Sequence, residues 1–349
     1  RHNFANFVGL SKAVRAQSET AMRLGISEHI PEGVYEGHSS VDGFDEPLHI
    51  HARITSRGGT VEIDLAGSSP QSTYGINCTL VYTYVWAMYT IKCIACPTVP
   101  NNEGTFAPIR VIAPEGCFLN PTFPAPVKMK PSSGHYVPIA ILDALKDVVD
   151  ERMLAESGNK SLVYLAGHLP SGDAFSDLIF VMGGMGARTR KDGLHTMSFP
   201  ANSSNIPVEV LEGVAPVRVR RKQLRPDSGG AGRYRGGCGQ VFEFESISSL
   251  PITVRAEHGK LMTVPQGLHG GRPGMGGRHA VNGDTVDDKL PVILQAGDVM
   301  TLEIPGSGGV GSVAERDLAA VARDVADGIV SKDAALADYG YQAPPDVID

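Results

Sequence analysis

Residues 206–240 read I-P-V-E-V-L-E-G-V-A-P-V-R-V-R-R-K-Q-L-R-P-D-S-G-G-A-G-R-Y-R-G-G-C-G-Q. From residue 217 to residue 220 valine alternates with arginine, which predicts a strand with one apolar face and one charged face. Pro226 is expected to end this strand, because a proline nitrogen cannot donate a hydrogen bond to a neighbouring strand. The stretch therefore predicts an amphipathic strand that runs into a tight corner.

The corner, residues 227–239, is dense in glycine and is called the glycine corner below. Asp227 to Gly230 supplies residues typical of turns, and Gly236, Gly237 and Gly239 permit backbone angles that other residues avoid. Two interpretations stay open for it. Either it joins two sheets along an edge braced by ion pairs, or it binds an anion and takes part in catalysis.

The same stretch resembles the hydantoinase B/oxoprolinase family, which includes the B-type subunit of N-methylhydantoinase and subunits of acetone and acetophenone carboxylases. Other motifs resemble this family in the same order along nearly the whole chain. They are I-P-E-G-V-Y (30–35), D-L-A-G-S-S-P-Q-S (64–72), G-I-N (75–77), P-N-N-E-G-T-F-A-P-I (100–109), A-P-E-G-C-F-L-N-P (113–121), G-G-M-G-A-R (183–188), D-G (192–193), P-G-S-G-G-V-G-S (305–312), E-R-D (315–317) and G-I-V-S-K-D-A-A-L-A-D-Y-G (328–340).

The resemblance implies an ATP-dependent activity that needs a second protein. Members of this family work with an ATP-binding partner of the hydantoinase A type and open cyclic amides such as hydantoins and 5-oxoproline. Related members carboxylate acetone or acetophenone. By this resemblance, ATP and Mg²⁺ would be bound by the partner subunit, in a hetero-oligomeric complex that acts on a small molecule.

The resemblance covers the C-terminal part of the family's length. The His- and Asp-rich metal-binding segment of the family has no counterpart in this sequence. We therefore expect either a fragment or a companion chain that carries the first part, and we expect the ligands of any divalent metal to lie outside this chain. No metal ligand is assigned.

Three functions follow from the resemblance as alternatives. The first is a subunit of an ATP-dependent cyclic amide hydrolase. The second is a subunit of an ATP-dependent ketone carboxylase, which would differ by requiring bicarbonate. The third is a scaffold subunit without catalytic residues.

Glu209, Glu212 and Arg235 are the candidate catalytic residues, because they lie in or beside the glycine corner in sequence. A glutamate there would act as a base or support one, and Arg235 would hold an anionic intermediate or a phosphate. The alternative is a cluster of ion pairs that braces the corner.

Length and composition place the chain among globular proteins. It has 349 residues, of which 42% are apolar and 20% charged, and its net charge of −7 argues against a nucleic-acid binder. The 41 glycines and 24 prolines favour turns and strands over long helices. We expect a β-rich α+β fold with domains at 1–157 and 158–349. The first would hold helices and a hairpin, and the second a sandwich- or barrel-like antiparallel β half followed by C-terminal helices.

Periodicity predicts individual elements within these domains. Residues 33–43 are rich in turn-forming residues. The remaining predictions are a helix over 4–23, a hairpin of strands 48–54 and 60–65, a buried apolar helix over 78–96, a strand over 109–112, an amphipathic helix over 138–155, strands at 162–165, 178–182, 208–211, 217–219, 241–245, 252–255, 292–294 and 299–304, and helices over 313–326 and 332–338. Apolar and polar residues alternate over 48–54, and Ser331 is expected to cap the last helix.

The cysteines and histidines offer weaker signals. Five scattered cysteines do not form a disulfide framework, which favours a reducing, cytoplasmic setting. Cys93 and Cys96 form a single C-x-x-C at the end of an apolar helix, where buried structural thiols are favoured over zinc ligands. His49 and His51 share one strand face, so they are either hydrogen-bonded side chains or a metal pair.

Nucleotide and membrane motifs are absent or incomplete. G-S-G-G-V-G at 306–311 fits G-x-G-x-x-G, with Asp324 and Asp327 at a suitable distance. No second parallel strand can follow it in the short remaining sequence, so we expect no dinucleotide site there. The sequence also lacks a G-x-x-x-x-G-K-[ST] phosphate loop. The apolar run at 78–96 contains Lys92 and several polar residues, so a buried helix is favoured over a membrane span.

Overall fold

The structure is a computed structural model that describes residues 7–149, 152–197, 199–257, 259–287 and 290–344. The chain divides into two compact units, residues 1–153 and 154–349.

The first unit contains a four-stranded sheet with helices packed on it. The sheet has the order β1-β2-β3-β4, in which β3 and β4 run parallel and the other neighbours run antiparallel. Parallel neighbours need a crossover connection, and two helices supply it here. The elements in chain order are α1 (Phe7–His29), β1 (Gly33–Val41), β2 (Leu48–Arg57), β3 (Thr60–Asp64), α2 (Leu80–Ala95), α3 (Glu103–Phe106), β4 (Ile109–Ile112), α4 (Pro131–Gly134) and α5 (Val137–Leu145).

The predicted hairpin is confirmed as β2 and β3. Ile50, Ala52 and Ile54 alternate with polar residues along β2 and are buried, which is the pattern of a strand with one face on the core. Gly58 and Gly59 make the turn at positive φ angles of 56° and 70°, a conformation that glycine adopts without strain. The predicted first helix is also confirmed from residue 7 onward, and it continues to His29. Its predicted start at residue 4 lies outside the described residues.

The turn-rich interpretation of residues 33–43 is wrong for residues 33–41, because these form β1. The inward positions of β1 carry Gly37, Ser39 and Val41, so small and polar residues conceal the strand pattern. A Cβ at Gly37 would overlap the backbone nitrogen of Ala144 in α5. Glycine is therefore required by the close approach of a helix rather than by a turn.

Two helix predictions in this unit need correction. The amphipathic helix predicted over 138–155 ends at Leu145, because the chain then turns and becomes extended. Leu154 bridges to Arg188, and the Ala155 nitrogen donates to the Ala187 oxygen at 2.8 Å. The apolar helix α2 is confirmed as a helix but is buried on one side only, with Val81 and Val85 exposed at 74% and 54%.

The second unit is a sandwich of two antiparallel sheets. One sheet has the order β11-β10-β13-β8-β7 and the other β12-β9-β5-β6, and neither is closed into a barrel. The elements are β5 (Lys160–His168), β6 (Ala174–Met182), α6 (Val208–Val214), β7 (Val217–Leu224), β8 (Gln240–Ser246), β9 (Ile252–Glu257), β10 (Arg278–Val281), β11 (Asp284–Thr285), β12 (Val292–Leu294), β13 (Val299–Glu303), a 3-10 turn (Val313–Glu315), α7 (Leu318–Ala326) and α8 (Lys332–Tyr339).

Side chains from the two sheets share one core. Val163 and Ile179 of one sheet pack in the same cluster as Phe242, Phe244 and Leu302 of the other. This arrangement confirms the α+β, β-rich fold and its sandwich form.

Strand β7 confirms the alternation predicted at residues 217–220. Val217 is buried, whereas Arg218 and Arg220 are exposed on an edge strand. Arg220 forms an ion pair with Glu245 of β8 at 3.0 Å, and a bulge at this residue shifts the register between Val219 and Arg221. Charged side chains and a bulge on an edge strand oppose pairing with other chains, and the stripe is ion-paired as the first interpretation expects. The expectation that the corner joins two sheets is wrong, because residues 227–239 connect β7 to β8, which are neighbours in the same sheet.

The C-terminal helices follow their capping signals. The Ser331 side chain accepts from the Ala334 nitrogen at 3.1 Å and starts α8, as predicted. The helix predicted over 313–326 is split, because Asp317 caps a new helix by accepting from the Ala319 nitrogen. A 3-10 turn and α7 therefore replace one continuous helix.

Acid is expected to destabilise the second unit through His279, a buried residue of β10. Burial lowers the pKa of His279 from 6.5 to about 4. Above pH 6.5 the ring is neutral in the folded and unfolded chains, and as the pH falls towards 4 only the unfolded chain takes up the proton. The free energy of unfolding should therefore fall by up to about 3 kcal/mol between pH 6.5 and pH 4.

Urea unfolding at pH 7, 6, 5 and 4 measures this loss. His279→Gln should flatten the pH profile, and the same change at the exposed His168 should leave it as it is. An unaltered profile in His279→Gln contradicts the prediction.

Candidate functional site

The glycine corner lies where several backbone segments of the second unit pass close to one another. The Gly230 nitrogen donates to the Ser307 oxygen at 2.7 Å, and the Gly237 nitrogen donates to the Met185 oxygen at 3.1 Å. A Cβ at Gly236 would overlap the carbonyl oxygen of Ser307. The glycines are therefore needed because main chain packs directly against main chain.

The G-x-G-x-x-G segment belongs to the same packing. The Gly308 nitrogen donates to the Glu156 oxygen at 2.9 Å, and the Gly309 nitrogen donates to the Arg272 oxygen at 3.0 Å. A dinucleotide fingerprint instead directs its free amides at a pyrophosphate. Here these two amides already donate hydrogen bonds to protein carbonyls.

A charge network, made of the half-buried Asp192 and the buried Arg235, Arg316 and Asp324, lies at the corner. Arg235 is 4% exposed and donates through Nε and Nη2 to the two carboxylate oxygens of Asp324, at 3.1 and 3.2 Å. Arg316 donates to Asp324 at 2.5 Å and to both oxygens of Asp192 at 2.9 and 3.0 Å. Two cations and two anions therefore alternate, and their charges balance.

Further contacts of Arg235 tie the network to the main chain. Its Nη1 donates to the Gly236 oxygen at 2.6 Å, and its backbone nitrogen donates to the Asp192 carboxylate at 2.7 Å. These bonds satisfy polar groups on both sides of the corner. These contacts are the kind expected if Arg235 belongs to a cluster of ion pairs that braces the corner.

Two opposing effects set the ionisation of the network: burial disfavours the charged forms, and ion pairing favours them. Burial opposes ionisation of Asp192, but hydrogen bonds from Arg316 outweigh it and hold the pKa of this carboxyl below its ordinary value. Burial likewise opposes the charge of Arg316, and its bonds to Asp192 raise the guanidinium pKa above its ordinary value. Both members therefore stay charged at neutral pH.

His195 lies beside the network, and no sequence motif points to it. Its Nδ1 accepts a hydrogen bond from the Cys238 nitrogen at 3.0 Å, so Nε2 carries the ring proton. Burial and then the charge of Arg235 lower the pKa of His195. The ring is therefore neutral at neutral pH and acts there as a hydrogen-bond acceptor for the corner.

Glu209 and Glu212 lie on helix α6, so the strand predicted over 208–211 is wrong. Leu211 is the buried position of this short helix, and both glutamates are exposed. The Glu212 carboxylate accepts from the Val219 nitrogen at 2.7 Å, which joins the helix to the start of β7. Among the described residues, the hydrogen-bond partners of Arg235 include neither glutamate. The structure therefore gives these two residues and Arg235 different surroundings.

The other members of the network stand in sequence motifs that do not indicate their role. Asp192 belongs to the D-G motif and Arg316 to the E-R-D motif, and Asp324 is conspicuous only for its spacing after G-x-G-x-x-G. Arg235 and Asp324 are 89 positions apart, so spacing along the chain does not reveal their pairing.

A second buried ion pair lies in the same unit. Lys260 Nζ is 2.6 Å from Glu156 Oε1, and both side chains are almost completely buried. The Gln266 nitrogen donates to Glu156 Oε2 at 2.7 Å. This pair joins the segment that precedes β5 to the loop that precedes β10, and no pattern in the sequence indicates it.

The histidines of β2 are hydrogen-bonded side chains. His51 Nδ1 lies 2.6 Å from the Ala66 oxygen, and His49 Nδ1 lies 3.3 Å from Ser40 Oγ. Over the described ranges, His, Cys, Asp and Glu side chains form no group of three suited to hold a metal ion. These side chains therefore do not fit the metal that the family resemblance implies, and no chemical step is assigned to a metal on this chain.

The thiols and helices add two findings. All five cysteines are free, and Cys93 and Cys96 are half-buried rather than buried as predicted. None of the helices within the described residues has the length and apolarity needed to cross a membrane.

Comparison with known proteins identifies the family. The sequence model of hydantoinase B/oxoprolinase matches residues 1–313. The chain belongs to the hydantoinase B/oxoprolinase family. The B-type component of a D-/L-hydantoinase from Pseudomonas sp. (strain NS671) is 32% identical over 353 residues, and the alignment covers 95% of this chain and 59% of that relative.

Two solved structures of similar proteins share the fold. The crystal structure of the ATP-dependent caprolactamase from Pseudomonas jessenii has a TM-score of 0.85 and 25% identity, and the match covers 97% of this chain and 62% of that one. A nucleotide-free acetone carboxylase structure has a TM-score of 0.79, and at 20% identity it shows the fold alone. That match covers 95% of this chain and 52% of the carboxylase chain. The chain therefore spans between half and two thirds of the length of these proteins.

Proposed function

We propose that this chain is the B-type component of an ATP-dependent enzyme that opens a cyclic amide of the hydantoin or 5-oxoproline kind. The observation that carries the proposal is the family match over residues 1–313. The similarity to the B-type component of a hydantoinase and to an ATP-dependent caprolactamase supports it, since both names describe chemistry at a cyclic amide.

The chemistry explains the need for ATP. An amide carbon is a poor electrophile because nitrogen donates electron density to the carbonyl. Transfer of a phosphoryl group from ATP to the amide oxygen makes the amide carbon a better electrophile. Water then adds to this carbon, and the C–N bond breaks as the ring nitrogen takes up a proton. The acyl phosphate that remains is hydrolysed by a second water to the carboxylate and inorganic phosphate. The charged intermediate must be shielded from bulk water, which favours an enclosed site in a complex.

The proposal places ATP and Mg²⁺ on a hydantoinase A-type partner subunit. This chain has no G-x-x-x-x-G-K-[ST] loop, and its G-x-G-x-x-G segment is packed against other main chain. The relative from Pseudomonas sp. is named as one subunit of its enzyme, which supports a hetero-oligomer. The remaining length of the family, on the same polypeptide or on a companion chain, would supply the ligands of any divalent metal. A cytoplasmic location belongs to the same proposal, and the five free thiols are compatible with it.

A ketone carboxylase is the alternative within the same family, and the fold shared with acetone carboxylase favours keeping it. Its mechanism would also begin with phosphorylation by ATP, but it would then consume bicarbonate. A non-catalytic scaffold is the third alternative.

The catalytic roles of Glu209, Glu212 and Arg235 stay proposals. The exposed glutamates could serve as a base only where a partner or another part of the enzyme covers them, and the buried position of Arg235 favours bracing. Turnover by Glu209→Gln and Glu212→Gln in the assembled enzyme tests the base role. Lost turnover at unchanged stability supports it, and full turnover contradicts it.

Reconstitution should distinguish the three functions. The complex to be assembled contains this chain, the polypeptide that carries the rest of the B-type sequence, and an A-type partner. We expect it to open hydantoin, 5-oxoproline or caprolactam while forming ADP, with no requirement for bicarbonate. The measurement is ADP and ring-opened product from the same reaction, with the chain alone as the control. Turnover of acetone that depends on bicarbonate would show the carboxylase instead. If the other components are active without this chain, the chain is a non-catalytic scaffold.

A further inference from the structure

A second feature of the molecule, unrelated to the glycine corner, is a pocket on the exposed side of α2 in the first unit. It has a volume of about 490 Å³ and lies between α2 and the segment that leads into α3. Ligand sites are typically concave and of roughly 300–1,000 Å³, with apolar walls and a few polar groups. The pocket meets these conditions, and we call it the α2 pocket.

The walls of the α2 pocket are apolar. Val85 and Met88 line it from α2, and Phe106 lines it from α3. Val85 is 54% exposed although it lies on a helix whose other side packs in the core. A hydrophobic ligand that covered this surface would remove apolar area from water, which is favourable.

The polar groups of the pocket can each donate a hydrogen bond, and the Tyr89 hydroxyl and the Asn101 amide can also accept one. Tyr89, Lys92 and Asn101 line it. The adjacent Asn102 is committed elsewhere, because its side chain caps α3 by accepting from Gly104 and Thr105. Asn101 therefore remains as the amide of the P-N-N-E-G motif that faces the pocket.

The charge in the pocket is positive. Burial raises the pKa of Cys93, and it also raises the pKa of Tyr89, so both groups are neutral. Among the described residues that line the pocket, Lys92 carries the only charge. Its Nζ donates to the Pro97 oxygen at 3.2 Å, which holds the ammonium group at the pocket and leaves further donors available.

We propose that the α2 pocket binds a small apolar carboxylate, with the hydrocarbon body against Val85, Met88 and Phe106 and the carboxylate beside Lys92. An anion complements the single positive charge, and Tyr89 and Asn101 add neutral donors. A neutral ligand would fill the space between the apolar walls but would not provide a counter-ion for Lys92.

Octanoate is a suitable probe, and the protein contains its own reporter. Trp86 is the single tryptophan of the chain, and its ring lies 5.7 Å from the ring of Tyr89 in an edge-on contact. Titration of the 349-residue chain with octanoate should change Trp86 fluorescence saturably, with a Kd on the order of 1 mM or tighter. The neutral analogue 1-octanol should bind more weakly.

Matched variants separate the charge from the walls. Lys92→Met should weaken octanoate binding about tenfold, as expected for loss of a charged hydrogen bond, with little effect on 1-octanol. Lys12→Met makes the same change in net charge on the exposed surface of α1 and should leave binding unaltered. Val85→Phe should weaken both ligands, because it narrows the pocket without disturbing a buried position.

The inference is overturned by any of three results. They are no saturable octanoate binding, equal effects of Lys92→Met and Lys12→Met, and equal affinity for octanoate and 1-octanol. Thermal unfolding of each variant shows that it is folded. Isothermal titration calorimetry provides an independent measure of binding where a variant alters Trp86 fluorescence directly.

Discussion

Asp324→Asn is expected to lower the free energy of unfolding of the second unit by about 3–5 kcal/mol. Asp324 lies between two buried guanidinium groups, those of Arg235 and Arg316, and accepts hydrogen bonds from both. The amide keeps the shape of the side chain but removes the negative charge and replaces one acceptor oxygen with a donor. Two buried cations would then share Asp192 as their remaining carboxylate in the network, and removing one partner of a buried ion pair leaves an uncompensated charge.

Denaturant unfolding of the wild type and the variant measures this effect. Glu315→Gln is the matched control, because Glu315 pairs with Arg233 at 3.5 Å in the same unit but both side chains are more than half exposed. An exposed pair of this kind is worth about 1 kcal/mol or less. Equal stability losses in the two variants would contradict the structural role assigned to the network.

The same variant also bears on the function of the corner. If the network braces the corner, a stabilising condition such as lower temperature should restore turnover of the assembled enzyme containing Asp324→Asn. If Arg235 instead contacts an anionic intermediate, turnover should stay low in a fully folded complex. Measuring turnover and folding on one preparation distinguishes the two roles.

The sequence predicts best where one periodic pattern decides the structure. The alternation in β2 and β7 and the serine cap of α8 are local signals, and the structure confirms them. Prediction fails where tertiary packing decides. Residues 208–214 carry β-branched valines that favour a strand, yet the burial of Leu211 and the bond from Val219 to Glu212 hold them as a helix.

The candidate site shows the same division. The sequence locates the glycine corner and Arg235, because glycine density and a charged stripe are visible in one window. It does not reveal the network around Arg235, since Asp324 and its second partner Arg316 come from the C-terminal segment and Asp192 from a loop after β6. It also favours a turn as the reason for the glycines, whereas at Gly236 the reason is the close approach of the Ser307 main chain, whose carbonyl oxygen a Cβ would overlap.

Gly236→Ala is therefore expected to destabilise the second unit by about 3 kcal/mol or more, at the upper end of overpacking effects. The added Cβ would overlap the carbonyl oxygen of Ser307, which belongs to backbone rather than to a flexible side chain. Relief requires the two segments to separate, and that movement would stretch the bond from the Gly230 nitrogen to the Ser307 oxygen. The smallest possible side chain thus tests whether main-chain contact holds the corner together.

Gly213→Ala provides the opposite expectation in the same unit. Gly213 lies in helix α6, is exposed, and has open space where a Cβ would be placed. Alanine should stabilise this helix by about 0.5–1 kcal/mol, because glycine loses more conformational freedom on folding. The measurement is the difference in unfolding free energy between the two variants, which should be about 4 kcal/mol. If Gly236→Ala were as stable as Gly213→Ala, the glycines of the corner would not be explained by close packing, and the anion-binding interpretation of their amides would regain support.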